Sequence, residues 1–228
     1  TAFLVCNTKG EILLDYGKDA EKVELNMVYL MDKGANPSIL CVYQKNGILT
    51  MHYTPLPLNK SALKGAGTAQ DPYQLTCSND FKLIDNNPSA YYEVANDIDF
   101  LSIPFEGPKR AFTGKLDGNN YTLNNLCLMG RGLFNEVKDS ANITNIKIDQ
   151  PILLLSDKHM EMAAGVLANS MQGGVDTAGV ASSALLSNVH VANPIIKAVG
   201  YNEIVGGIVG YVALNTDVNT CSVTDAEI

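Results

Sequence analysis

The chain has 228 residues, 46% of them apolar, enough to bury a core in one elongated domain or two compact ones. Lys plus Arg number 16 against 24 Asp plus Glu, a net charge of −8, and only Arg110 and Arg131 are arginines. That balance does not fit a nucleic-acid partner, which needs a basic face to displace counterions, and it repels acidic polysaccharides unless cations screen them. No run reaches the roughly 18–20 apolar residues of a membrane span, so insertion by a helix is excluded.

Residues 1–58 read as a small antiparallel β domain. Runs at 1–6, 11–16, 23–31, 38–43 and 48–54 are rich in Val, Leu, Ile and Tyr and are separated by turn signals. Asn46-Gly47 between two such runs predicts a hairpin, because Asn-Gly supplies the positive φ angles of a type I′ turn. Pro55-Leu56-Pro57-Leu58 ends the domain, since proline cannot donate to a sheet ladder. Residues 59–66 read as a linker. The first residue is Thr1 and no signal peptide precedes it, so a piece of a longer protein or a processed form is expected.

Residues 67–105 read as a cap and the first turns of a stacked array. Asp71-Pro72 leads into a short strand, and Ser78 or Asn79 is placed to cap a helix over 80–84 with Phe81 and Ile84 on one face. Asn86-Asn87-Pro88 stops it. Tyr91-Tyr92-Glu93-Val94 and Asp97-Ile98-Asp99-Phe100 then alternate like strands.

Residues 106–228 carry a repeated phrase: Leu123-Asn124-Asn125-Leu126-Cys127-Leu128, Ile143-Thr144-Asn145-Ile146-Lys147-Ile148, Leu186-Ser187-Asn188-Val189-His190-Val191 and Val218-Asn219-Thr220-Cys221-Ser222-Val223. Starts at 123, 143, 186 and 218 give intervals of 20, 43 and 32 residues, so insertions interrupt a regular set of strands. The insertions are expected at 157–163 and 170–183. A second element recurs at Gly132-Leu133-Phe134, Gly165-Val166-Leu167 and Gly207-Ile208-Val209, and Pro151 and Pro194 share one offset.

Strands this short cannot stand alone, so each unit is expected to form one coil that pairs with the next. Three apolar ladders result: Leu123/Ile143/Leu186/Val218, Leu126/Ile146/Val189/Cys221 and Leu128/Ile148/Val191/Val223. Asn125/Asn145/Asn188 forms a polar ladder of stacked amides. The glycines serve tight corners where a Cβ would clash. By the same alignment Cys221 is a buried hydrophobe and Cys127 points outward. The five cysteines show no zinc spacing; Cys6 and Cys41 could pair, and the redox compartment stays open.

Phe112-Thr113-Gly114-Lys115-Leu116-Asp117-Gly118-Asn119-Asn120-Tyr121-Thr122-Leu123, followed by Gly132-Leu133-Phe134, resembles the GLUG-type repeat, and so does Gly206-Gly207-Ile208-Val209-Gly210-Tyr211. The segment from Gly67-Thr68-Ala69-Gln70-Asp71-Pro72 to Asp97-Ile98-Asp99-Phe100 is similar to the cap that precedes such repeats. The resemblance covers about residues 65–228. GLUG repeats occur in filamentous-haemagglutinin-like adhesins and in non-catalytic regions of IgA-protease-like metallopeptidases. The resemblance implies a right-handed parallel β-helix, a solenoid, on a bacterial protein secreted or carried at the cell surface.

A catalytic constellation is hard to find. A glycosidase needs two carboxylates facing one bond; Asp97 and Asp99 share a strand face and Asp117 lies nearby in sequence, but all three also suit turns and corners. Arg110 and Arg131 lie at turns without clustered carboxylates, so they read as surface charges. His159-Met160-Glu161-Met162 lacks the second His of HExxH. His52 and His190 are expected to face solvent. No GxSxG, GxGxxG or P-loop occurs, and Gln172-Gly173-Gly174 lacks the following Lys-Ser/Thr. Asn96, Asp97 and Asp99 offer hard oxygen ligands for calcium but complete no loop motif.

The leading expectation is therefore a non-catalytic adhesin or stalk without a cofactor. Its loops at 157–163 and 170–183 would meet a glycan or protein ligand on another cell or in the matrix. The alternative is a carbohydrate-active lyase or hydrolase using Asp97, Asp99 or Asp117. A third expectation concerns 222–228, which end inside a repeat phrase: the native protein continues past Ile228, or this uncapped coil docks on another chain or a second copy.

Overall fold

A computed structural model describes the backbone strands of residues 4–6, 12–15, 24–31, 38–45 and 48–55, and residues 63–156, 163–175, 178–199 and 204–227. The chain divides into two compact units, Thr1–Lys60 and Ser61–Ile228. In the first unit Leu4–Cys6 pairs antiparallel with Ile12–Asp15. Glu24–Met31, Ser38–Lys45 and Ile48–Pro55 form an antiparallel three-stranded sheet. Lys45 faces Ile48 across the ladder, so Asn46-Gly47 alone joins those strands; the type I′ geometry expected there lies outside the described residues, as do the side chains of Cys6, Cys41 and His52. Pro55 is the last residue of Ile48–Pro55, an edge strand among the described residues, a place where proline is tolerated.

The second unit opens with strand Tyr73–Leu75, helix Ser78–Lys82 and a 3-10 turn at Leu83–Asn86. The helix starts two residues before the expected 80–84 and takes Cys77, not Ser78 or Asn79, as its N-cap. The buried Asp80 carboxylate explains the shift. Its Oδ2 accepts from Thr76 N at 2.7 Å, Thr76 Oγ1 at 2.9 Å and Cys77 N at 3.2 Å, satisfying donors at the helix start. Phe81 and Ile84 are both buried, as the face pattern requires.

From there the unit is all-β and mostly parallel. The largest sheet is ordered Thr216–Asn219, Ala184–Ala192, Asn142–Asp149, Lys115–Asp117, Tyr91–Val94, Tyr73–Leu75, with Thr122–Asn124, Ile98–Asp99 and Ser222–Thr224 pairing alongside. A second sheet is ordered Ile195–Val199, Ile152–Ser156, Cys127–Met129, Pro104–Phe105, and a third Phe134–Lys138, Ala168–Gln172, Val209–Val212. From Lys115 onward the chain visits the large, second and third sheets in that order, then returns to the large one. Ala163–Gly165 and Ile204–Gly206 add a parallel pair between the second and third.

Register places like residues above one another on the inner face. Tyr92, Leu116, Ile143 and Leu186 form one apolar column, each at most 2% exposed. Ile98, Leu123, Ile148 and Val191 form the next, and Phe105, Leu128, Leu153 and Ile196 a third on the second sheet. Phe100 and Phe105 meet edge-on at 4.9 Å, and Phe112 and Phe134 lie 5.1 Å apart. Burying such side chains stabilises by about 1.5–3 kcal/mol each, which short strands cannot supply alone.

The register corrects the expected ladders at the first copy of the phrase. Ile143 pairs with Leu116, not Leu123, and Leu123 pairs with Ile148. Leu128 pairs with Leu153 rather than Ile148. The reason is that two corners along the large sheet side of each pass share the same chemistry. At the first, Asn120, Asn145, Asn188 and Thr220 have φ of 62°, 56°, 55° and 51°; at the second, Ser102, Asn125, Gln150, Asn193 and Asp225 have φ between 51° and 56°. Left-handed backbone favours Asn among non-glycine residues, so the aliphatic-Asn phrase marks either corner. Copies two to four mark the first, and copy one marks the second. Accordingly Asn188 Nδ2 donates to Asn145 Oδ1 at 2.8 Å and Asn145 Nδ2 to Asp117 Oδ1 at 3.0 Å, whereas Asn125 Nδ2 donates to Asp99 Oδ1 at 3.0 Å. Asn125 belongs to a separate ladder.

The glycine column also shifts. Gly165 pairs with Gly206, while Phe134 pairs with Ala168 and Ala168 with Val209, so Val166 stands level with Gly132 and Gly207. Close approach, not positive φ, demands glycine at 132: a Cβ there would lie 2.2 Å from the Gly165 carbonyl oxygen. Cys127, expected outward, is only 7% exposed, because Pro104 and Ile152 flank it on neighbouring strands. Burial pushes its thiol pKa up. Cys221, expected buried, is half-buried at the last pass.

Candidate functional site

The residues singled out for chemistry do not converge. Asp97 is exposed, and its Oδ1 accepts from Thr122 N at 2.8 Å. Asp99 Oδ1 accepts from Leu101 N at 2.8 Å and from Asn125 Nδ2. Asn96 turns its amide nitrogen to the carbonyls of Thr76, at 3.2 Å, and Asp97, at 2.6 Å. Among the described residues no three His, Cys, Asp or Glu side chains gather to hold a metal ion. Arg110 Nη1 donates to Asp85 O, and Arg131 donates to the carbonyls of Pro108 and Gly107.

His190 departs from its expected solvent-facing role. It is half-buried, with Nδ1 2.8 Å from Ser222 Oγ and Nε2 2.8 Å from Asn188 Oδ1, at the end of the Asn ladder. His159 and residues 157–162 lie outside the described residues. Of the 170–183 insertion, Ala168–Gln172 is strand, and Gly174–Val175 pairs antiparallel with Ala181–Ser182. Half of that stretch is therefore strand rather than open loop, with Gly174 and Ser182 facing each other in the antiparallel pair.

A different surface gathers polar groups. Alternation sends every second side chain of the large sheet outward. Tyr91, Glu93, Lys115, Asp117, Asn142 and Thr144 line one groove there, together with Ala69 and Pro72. Tyr91, Lys115 and Asn142 stand in one row, and Glu93, Asp117 and Thr144 in the next, with neighbours in a row about 4.8 Å apart. Their inward companions Tyr92, Leu116 and Ile143 are buried, so the groove stands on a rigid floor.

Each polar group has a defined state. Glu93 Oε1 accepts from Gln74 Nε2 at 3.2 Å and its Oε2 from Asn119 Nδ2 at 3.4 Å. Asp117 Oδ1 accepts from Asn119 N at 2.8 Å and from Asn145 Nδ2. Lys115 Nζ donates to the Ser140 carbonyl, and burial holds its pKa below the ordinary lysine value. Asn142 Oδ1 is buried with no hydrogen-bond partner, the one such side-chain atom among the described residues. Tyr91 is 39% exposed.

Of this groove the sequence reading singled out only Asp117 as a catalytic candidate, and it set Asp117 beside Asp97 and Asp99. The structure pairs it with Glu93. Alternation in Tyr91-Tyr92-Glu93-Val94 already marked Tyr91 and Glu93 as outward, but meeting residues 24 positions on requires the register. Comparison of the chain with protein-family models, with curated proteins and with solved structures finds no match.

Proposed function

We propose that the parallel sheets of Ser61–Ile228 close into a right-handed β-helix, and that the chain is a non-catalytic module of a bacterial surface or secreted protein. It would act as an adhesin or stalk, meeting a glycan or protein ligand on another cell or in the matrix. The repeated order of three sheets and the left-handed corners that recur from pass to pass support the β-helix. The observation that carries the non-catalytic reading is the use of the acids. Asp97, Asp99 and Asp117 each accept a backbone N–H at 2.8 Å at a turn or corner, so each is already employed in holding the chain.

A second reading, a carbohydrate-active enzyme, is favoured by one fact: Asp117 and Glu93 share a groove on adjacent strands. Self-association is a third role for one region. Val218 and Val223 continue the two inner columns of the large sheet but are 47% and 38% exposed, because among the described residues no strand pairs on their outer side.

The test applies the chain to arrays of glycans and extracellular-matrix proteins and, in parallel, assays released reducing ends and unsaturated uronides. The adhesin reading predicts saturable binding without product. Product formation lost in Asp117→Asn would replace it with the enzyme. Absence of any binding would leave the stalk role alone.

A further inference from the structure

We infer that the groove on the outer face of the large sheet is a binding site for a neutral, hydroxyl-rich oligosaccharide; this rests on the reading of the chain as a binding module. The groove is rich in acceptors. Glu93 and Asp117 line it with carboxylates whose oxygens keep lone pairs beyond the bonds from Gln74, Asn119 and Asn145, and the hydroxyls of Thr144 and Tyr91 can accept as well as donate. Its one ammonium, on Lys115, already donates to Ser140 O. A ligand that satisfies such a surface must bring donors, and sugar hydroxyls are donors that carry no charge.

The orphaned Asn142 Oδ1 points the same way. A buried acceptor without a partner costs free energy that a bound donor recovers, and such an atom in a native fold calls for a partner. The terminal torsion of Asn is soft, so the amide can turn toward the groove without leaving its rotamer well. Tyr91 supplies the other half of sugar recognition: an exposed ring whose face takes the apolar C–H side of a pyranose, with a hydroxyl at its tip.

Charge separates this ligand from its rivals. Glu93 and Asp117 repel a uronate, and the whole chain carries −8. Lys115 stands in register between Tyr91 and Asn142 and offsets one of the two carboxylates, which leaves little net charge to draw a cationic peptide or a divalent ion. The neutral sugar meets no such opposition.

The full chain is titrated by calorimetry with cello-, malto-, xylo- and mannohexaose, with oligogalacturonate and with oligolysine. At least one neutral sugar binds, and the two charged probes bind more weakly. Tyr91→Ala weakens that sugar by up to about tenfold, the scale of one lost aromatic contact. Asn142→Ala weakens it as well, while its thermal midpoint stays unchanged or rises because an unpaired buried acceptor is gone. Circular dichroism of both variants checks that the fold is kept. Preference for oligolysine or oligogalacturonate, or failure of every neutral sugar to bind, overturns the inference. Neutral-sugar binding that ignores both substitutions overturns the groove but leaves the binding module standing on another surface. The binding module itself is decided by the glycan and protein arrays.

Discussion

Asn145→Ala tests the corner chemistry on which the stack depends. Asn145 has φ of 56°, donates to Asp117 Oδ1 at 3.0 Å and accepts from Asn188 Nδ2 at 2.8 Å. Alanine removes both side-chain bonds, at about 1 kcal/mol each. It also places a Cβ without a local polar partner in left-handed backbone, a further cost of about 1 kcal/mol. The expected loss is about 3 kcal/mol. Asn145→Gly loses the same two bonds but adopts the left-handed backbone freely, so its loss is about 2 kcal/mol. The order is the diagnostic, because in regular strand or helix alanine is the better residue. Urea unfolding of the two variants, followed by circular dichroism and compared through their midpoints, reads the order directly. Alanine equal to glycine, or better, would refute the left-handed corner.

The inner columns make a second contrast. Leu116→Ala, inside a column buried on both sides, should cost about 2–5 kcal/mol, whereas Val218→Ala, 47% exposed in the last strand of the same column, should cost less than about 1 kcal/mol; matched unfolding midpoints compare them. Tyr92 governs alkaline stability. Burial, with Tyr73 and Asp85 adding, raises its phenol pKa, and its hydroxyl donates to Asn87 O at 2.7 Å. Above the unfolded value of about 10 the unfolded chain releases a proton that the native state retains, so native stability falls as pH rises. Tyr92→Phe should lose about 1 kcal/mol at neutral pH from the missing bond and show a shallower decline from pH 9 to 11 in a series of thermal scans.

Much of the architecture was written in local patterns. Alternation in Tyr91-Tyr92-Glu93-Val94 set the inner and outer faces, and the Pro151/Pro194 offset matched the observed register of Ile152 with Ile195. The phase of the first repeat was not legible. Asn125 and Asn145 look alike because both turn left-handed corners, and only the interval between corners tells them apart. Leu116 to Leu123 spans seven residues where Ile143 to Ile148 spans five, so Gly118-Asn119-Asn120-Tyr121 carries an extension that a single phrase cannot reveal. The helix cap was missed because Asp80 acts from inside the helix rather than before it. The groove was missed for a related reason. Its side chains come from strands 24 to 27 residues apart and share no motif; they meet only through register. Reading catalysis from Asp97, Asp99 and Asp117 favoured proximity in sequence, while parallel pairing brings Asp117 to Glu93.

Everything proposed for the groove depends on that register. Methyl-selective NMR of the full chain, labelled at Leu, Ile and Val, measures it directly through nuclear Overhauser contacts between neighbouring strands about 4.8 Å apart. The stacked arrangement predicts contacts from Leu116 to Ile143, from Ile143 to Leu186, and from Leu123 to Ile148. A contact between Leu123 and Ile143, with none between Leu116 and Ile143, would contradict the stack and dissolve the groove that stands on it.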